Sequence, residues 1–169
     1  LEKNKTVLIL VPEISLTPQI TSRFFNNFGD TVTVVHSRMS AGERFDSWRR
    51  VLSGKSKVVI GARSALFAPL NKIGLIVVDE EHDASYKSIE MIPKYNARDA
   101  AVVLGNIFNC PVVLGSATPS IESMYNAETG KYKLLSLFKR IDDAKLPKIT
   151  FVNIAHEKNK SKSETVFSK

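Results

Sequence analysis

The segment Leu75-Ile76-Val77-Val78-Asp79-Glu80-Glu81-His82 joins an apolar run to four consecutive polar side chains. Two carboxylates in succession at the end of a rigid strand suit nucleotide hydrolysis. Asp79 is placed to hold Mg²⁺ through water, because Mg²⁺ gives up its hydration shell reluctantly. Glu80 is placed to orient and deprotonate an attacking water. Two other readings share the pattern. One is a plain acidic loop after a strand. The other is a metal site using His82 with the carboxylates, for which no partner His stands at helical spacing.

Three more strand ends carry polar sequences. Gly115-Ser116-Ala117-Thr118-Pro119 puts two hydroxyls on a tight loop, within expected reach of Glu81 or His82 if the two strands are neighbours. A simple strand-to-helix turn capped by Thr118 or Ser120 reads the same way. Gly61-Ala62-Arg63-Ser64-Ala65 offers close backbone approach, helix-start amides and a cation to a phosphate. Pro12-Glu13-Ile14-Ser15-Leu16-Thr17-Pro18-Gln19 has the same design, with Ser15, Thr17 and Gln19 as neutral donors. A glycine turn and a proline-punctuated cap are the bland versions of these two.

These loops need a frame that brings them to one edge. Strand-length apolar runs are expected at 6–11, 31–36, 57–60, 73–78 and 111–114. Between them, helical spacing covers 18–28, with Ile20, Phe24 and Phe28 aligned, and 41–52, with Phe45, Trp48 and Leu52 aligned. It also covers 97–108, with Ala101, Leu104 and Phe108 aligned, and a short stretch from Ser120 to Glu128. Thr17 reads as an N-cap with Pro18 at the first helical position. Apolar strands without polar alternation, alternating with helices, imply an α/β fold: a mainly parallel sheet with helices on both faces. In such sheets ligands gather where strands end. A further strand is expected at 148–154, and residues 156–163 read as linker or disordered tail.

Composition allows one domain of ordinary size in 169 residues, 43% of them hydrophobic. No apolar run approaches the ~20 residues of a membrane span. Cys110 alone excludes an internal disulfide and any multi-cysteine zinc site within these residues. It reads as a buried thiol and is compatible with the cytoplasm. The net charge of +7 suits a polyanion, yet from Lys139 onward eight Lys/Arg stand against four Asp/Glu, so much of the excess is in the tail.

Order and spacing add what each motif lacks alone. The runs 10–19, Gly61-Ala-Arg-Ser-Ala-Leu-Phe-Ala-Pro-Leu70, Val77-Val-Asp-Glu-Glu-His-Asp-Ala-Ser-Tyr-Lys87, Tyr95-Asn-Ala-Arg-Asp99 and Leu114-Gly-Ser-Ala-Thr-Pro-Ser-Ile-Glu-Ser123 resemble the PriA family, the primosomal replication-restart DNA helicases of superfamily 2 in bacteria. The resemblance runs from about Lys5 to Lys148. It implies a RecA-like helicase lobe at 1–150, a linker or tail at 151–169, ATP and Mg²⁺ as cofactors, and zinc in a C-terminal part of the family but none in this chain. It implies a cytoplasmic 3′-to-5′ DNA helicase that recognises abandoned forks, unwinds duplex and promotes primosome assembly. Its partners would be single-stranded and forked DNA, primosome proteins and single-stranded-DNA-binding protein, with no membrane role.

Carried over, Asp79 and Glu80 are the Mg²⁺ and water-activating carboxylates. Glu81, His82, Gly115, Ser116, Ala117 and Thr118 couple hydrolysis to movement. Pro12, Glu13, Ser15, Thr17, Gln19, Gly61, Ala62, Arg63 and Ser64 touch DNA. Stacking on a base falls to Tyr86 or Tyr95, because Met91-Ile92-Pro93-Lys94 stands where the family carries other aromatics. No G-x-x-x-x-G-K-[ST] loop occurs in the 169 residues, so they are expected to be inactive alone. Two alternatives are a non-enzymatic nucleic-acid-binding module and the motor lobe of another superfamily 2 translocase.

Overall fold

A computed structural model describes residues 4–89, 92–138 and 151. Five strands, β1 (Thr6–Leu10), β2 (Val32–Val35), β3 (Val58–Gly61), β4 (Ile73–Val78) and β5 (Val112–Leu114), pair in the order β2-β3-β1-β4-β5. Every pairing is parallel. The connecting helices are α1 (Pro18–Phe28), α2 (Ala41–Leu52), α3 (Ala97–Phe108) and α4 (Ile121–Glu128). The expected α/β architecture is thus present. The expected strand at 148–154, the boundary at residue 150 and the tail at 156–163 lie outside the described residues, save Phe151. The chain divides into a unit Leu1–Tyr132, which holds all these elements, and a unit Lys133–Lys169. No described helix is long and apolar enough to cross a membrane.

The helix starts are written into the sequence. The Thr17 hydroxyl accepts the Ile20 amide ahead of α1, and Pro18 fills the first position. Ser40 and Glu43 form a reciprocal capping box on α2. Asn96 and Ser120 cap α3 and α4. At the other end of α3, Asn109 takes the left-handed conformation at φ 48°, which Asn tolerates better than most residues.

Alternation along the strands sorts the core. Leu8, Leu10, Val59, Ile76 and Val78 face α3, through Ala97 and Ala101, and Val51 of α2. Val32, Val58 and Ile60 face the other way, against Phe24 of α1. This second face is less complete than the expected double burial: Val7, Ile9, Leu75 and Val77 are only half-buried, since α1 covers chiefly the β2–β3 side. On α2, Val51 makes the core contact, while the aligned Phe45, Trp48 and Leu52 remain 61%, 47% and 58% exposed.

Gly61 ends β3 where a side chain has no room. A Cβ there would collide with the Val35 carbonyl oxygen and lie 2.5 Å from the Ala65 Cβ. Gly61→Ala therefore lowers unfolding free energy by about 1–3 kcal/mol, through overpacking of a site that backbone closes on one side. Urea denaturation checks this, and an unchanged midpoint would refute it.

Candidate nucleotide and nucleic-acid site

β4 and β5 are parallel neighbours, so Asp79 and Gly115 leave the same edge of the sheet side by side. The Gly115 amide donates to the Val78 carbonyl at 2.8 Å, and the Glu81 amide donates back to the Gly115 carbonyl at 3.0 Å. The two loops are thereby stitched by main chain before any side chain acts. A Cβ on Gly115 would stand 3.6 Å from the Asp79 carboxylate, an ordinary contact, so space beside that carboxylate is open.

Asp79 is held at both ends of its backbone. Its amide donates to the Leu10 carbonyl at 2.9 Å, and its carbonyl accepts the Tyr86 hydroxyl at 2.6 Å. Its carboxylate is exposed and accepts the Glu80 amide at 3.1 Å. Glu80 itself sits at φ 46°, a left-handed conformation uncommon for a side chain of this size. That turn lifts the Glu80 carboxylate away from the strand, leaving its side chain 44% exposed, 3.6 Å from Nδ1 of His82.

His82 joins the two loops. Its Nδ1 lies 2.7 Å from the Ser116 hydroxyl, and its Nε2 lies 3.4 Å from the Thr118 hydroxyl. Ser116 also accepts the Thr118 amide, which holds the hydroxyl in place. Ala117 is exposed beside them. The two hydroxyls expected near Glu81 or His82 both meet His82.

Glu81 turns the other way and is 3% exposed. It accepts the Ser120 amide at 2.6 Å, the hydroxyls of Ser120 and Ser123 at 3.0 and 2.8 Å, and the Arg98 guanidinium at 3.1 Å. Burial alone would push its carboxyl up. The Ser120 amide, the two hydroxyls and Arg98 outweigh that and hold it below the usual carboxylate range. Arg98 is spanned by Asp99 at 2.8 Å and the Ser120 hydroxyl at 2.7 Å, with Glu122 at 4.0 Å. Burial lowers its pKa, but Asp99 and Glu81 outweigh it and keep the guanidinium charged. The network ties β4, α3 and the start of α4 at one point.

Arg98, Ser120 and Ser123 were not singled out as site residues by sequence. Arg98 did carry a signal: it stands beside Ala97 and Ala101 on the buried stripe of α3, where a cation needs a partner.

Tyr86 is corrected as a stacking residue. Its ring is 1% exposed, so neither face can meet a base. Burial, with Asp79, Asp83 and Glu80 nearby, pushes its phenol well up and keeps it a hydrogen-bond donor to Asp79. Tyr95 is half-buried and packs edge-on against Phe67, with ring centroids 5.3 Å apart.

Pro12, Gly61 and Ala62 stand at the same edge, Ala62 lining the cavity against α2. All three are buried, and they shape the edge. The Gly61 carbonyl accepts the Val11 amide, and the Ala62 amide donates to Val35. Thr17 spends its hydroxyl on capping α1. Glu13 accepts the Ser37 hydroxyl. Arg63 donates from Nη1 to the Lys87 and Ser85 carbonyls at 2.6 and 3.4 Å, so it braces the turn that follows β4. Ser64 and Gln19 are exposed, and Ser15 is half-buried.

The donor set selects among metals. Among the described residues no group of three or more His, Cys, Asp or Glu is gathered to cage an ion. One exposed carboxylate with a second beside it fits Mg²⁺, which keeps several waters and takes its remaining oxygens from phosphates.

Residues 1–127 match the family model described as DEAD/DEAH box helicase. The chain is 47% identical over 157 residues to the replication restart protein PriA of Bacillus subtilis (strain 168), covering 93% of this chain and 19% of that protein. It is 46% identical over 168 residues to the replication restart protein PriA of Chlamydia pneumoniae, covering 99% of this chain and 22% of that one. The chain thus spans about a fifth of the length of these relatives. Among solved structures, the C-terminal domain of the DEAD-box protein Dbp5 aligns over 76% of this chain and 72% of that one, at 15% identity and a TM-score of 0.48. With the matched segment covering the sheet and the loops that leave its edge, the chain belongs to the DEAD/DEAH box helicase family.

Proposed function

We propose that the chain is the ATP-hydrolysing lobe of a replication-restart DNA helicase, RecA-like in fold, that unwinds forked DNA in the 3′-to-5′ direction and promotes primosome assembly. The observation that carries this reading is the double stitch between the Asp79–His82 turn and the Gly115–Thr118 loop. One branch runs through His82 to Ser116 and Thr118. The other runs through Glu81 to Ser120 and Ser123.

When bound, Mg-ATP supplies the scissile phosphate and the charge that organises it. Asp79 would hold the metal through water, at a carboxylate already oriented by the Glu80 amide. Glu80 would orient the attacking water and take its proton. His82 sits between that carboxylate and the neighbouring loop, so a change beside Glu80 moves Ser116 and Thr118 with it. This is the route by which hydrolysis would reach the DNA-facing loops. The candidate contacts exposed there are Glu13, Thr17, Gln19 and Ser64, with Ser15 and Arg63 half-buried. The similarity to PriA proteins supports the restart role, with single-stranded-DNA-binding protein and primosome proteins as partners. We assign residues 1–150 to the lobe and 151–169 to a linker.

The test uses the full-length protein on forked DNA, reading phosphate release and strand separation together. Wild type should show DNA-stimulated hydrolysis and unwinding. His82→Ala should keep DNA-stimulated hydrolysis but open about 2- to 30-fold fewer base pairs per ATP, the range for residues that carry coupling rather than chemistry. Absence of DNA-stimulated hydrolysis in wild type would overturn the assignment. Unchanged unwinding per ATP in the variant would remove His82 from the coupling route.

A further inference from the structure

We infer that Trp48 is a base-stacking platform for single-stranded DNA, seated in a cavity on the β2–β3 side of the lobe. This rests on the reading of the chain as part of a DNA motor, and adds a binding residue to it. The cavity, of about 650 Å³, opens where β2 and β3 end and lies against α2. Its volume is that of a pocket for a small organic group, in the range of about 300–1,000 Å³. The indole of Trp48 lines it and remains 47% exposed.

Charge around the indole selects the ligand. Arg44, Arg63 and Lys87 line the same cavity against one carboxylate, that of Glu13. Glu13 is partly satisfied by the Ser37 hydroxyl. A flat, half-exposed aromatic in a cavity that three cations also line matches a polymer that alternates π-faces with phosphates. Every base presents a π-face, so such a platform holds single strands without reading their sequence. A protein segment fits less well. Phe45 and Leu52, which continue the apolar ribbon of α2, do not line the cavity, so Trp48 is its one aromatic, with three cations and smaller apolar side chains such as Ala68 and Pro69 on the other walls. Arg63 is anchored by its bonds to the Lys87 and Ser85 carbonyls, which fixes one cation against one wall.

The platform also replaces what Tyr86 cannot provide. Tyr86 is buried, and Tyr95 is engaged edge-on with Phe67. Trp48 is the one tryptophan in the chain, and helix α2 holds it firmly through Val51, which is 3% exposed in the core. A stacking surface on a rigid helix loses little entropy when a base settles on it.

The experiment measures binding of a short deoxythymidine oligonucleotide, and of an abasic strand of equal length, to the full-length protein by fluorescence anisotropy. Trp48→Ala should weaken binding of the base-containing strand by about 5- to 100-fold and leave the abasic strand unaffected. Trp48→Phe should restore most of the affinity, which separates stacking from damage to the fold. Arg44→Ala and Lys87→Ala should each lower the salt dependence by about 0.7 in log–log slope on both strands. Equal loss on both strands, or no loss on either, overturns the platform. If neither strand responds to Trp48→Ala while wild type still binds DNA and hydrolyses ATP, the platform fails and the helicase reading stands. If wild type binds neither strand, both fail.

Discussion

Glu80→Gln in the full-length protein lowers kcat for ATP hydrolysis by roughly 10²- to 10⁴-fold, the range expected when a positioned general base is removed. Affinity for Mg-ATP stays near that of wild type. The substitution keeps the shape of the side chain and removes only its ability to take a proton. Glu80 is placed for that task by main chain rather than by neighbours: the left-handed turn at φ 46° and the bond from its amide to Asp79 aim the side chain outward. Asp79→Asn should behave differently, losing affinity for the Mg-nucleotide as well as turnover, because it weakens the grip on the metal. The split between kcat and binding separates the two roles. Single-turnover phosphate release, paired with calorimetric titration of Mg-ATP, reads both. Wild-type turnover in Glu80→Gln would take Glu80 out of the chemistry, and equal losses of affinity in both variants would make the pair a single binding site.

How far the sequence alone reaches is seen in how each residue is held. Strands, helices and their parallel order follow from patterns that are local: continuous apolar runs, helical spacing, and caps at Thr17, Ser40, Asn96 and Ser120. The meeting of Asp79 with Gly115 follows once the two strands are neighbours. Direction of side chains is less legible. Phe45, Trp48 and Leu52 have the spacing of a core face, yet α2 is rotated so that Val51 meets the sheet instead. Tyr86 looks like an available aromatic, but the 3₁₀ turn at Ala84–Tyr86 swings its hydroxyl back to the Asp79 carbonyl. Pro12, Gly61 and Ala62 sit in loops at the sheet edge that the sequence marks for contact, and are themselves buried. Sequence marks which loops share an edge. Which atoms of a loop face outward depends on contacts 20 to 40 residues away, such as those between Glu81 and Ser120 or Arg63 and Lys87.

Glu81→Ala lowers the unfolding free energy of the chain by roughly 1–3 kcal/mol, the cost of leaving buried donors without their acceptor, since Arg98 keeps its bond to Asp99. The side chains of Glu81 and Arg98 are 2% and 10% exposed, so solvent cannot replace what is lost. The Ser120 amide and the Ser123 hydroxyl lose their acceptor in the same step. Arg98→Met removes the other charge and should cost about as much. The double variant should cost less than the two singles together, since each single already breaks the same pair. Urea unfolding of the four proteins gives the cycle.

Acid offers an independent arm. The folded Glu81 carboxyl titrates below its ordinary value of 4.5, so the unfolded chain binds the proton more readily. The stabilisation is therefore complete above that value and is lost as pH falls through the lower folded pKa. The stability gap between wild type and Glu81→Gln should be constant near neutrality and shrink only below pH 4.5. A gap that vanishes already near neutral pH, or a loss under about 1 kcal/mol in Glu81→Ala, the scale of an exposed ion pair, would mean that the network does not fasten α4 to the Asp79–His82 turn.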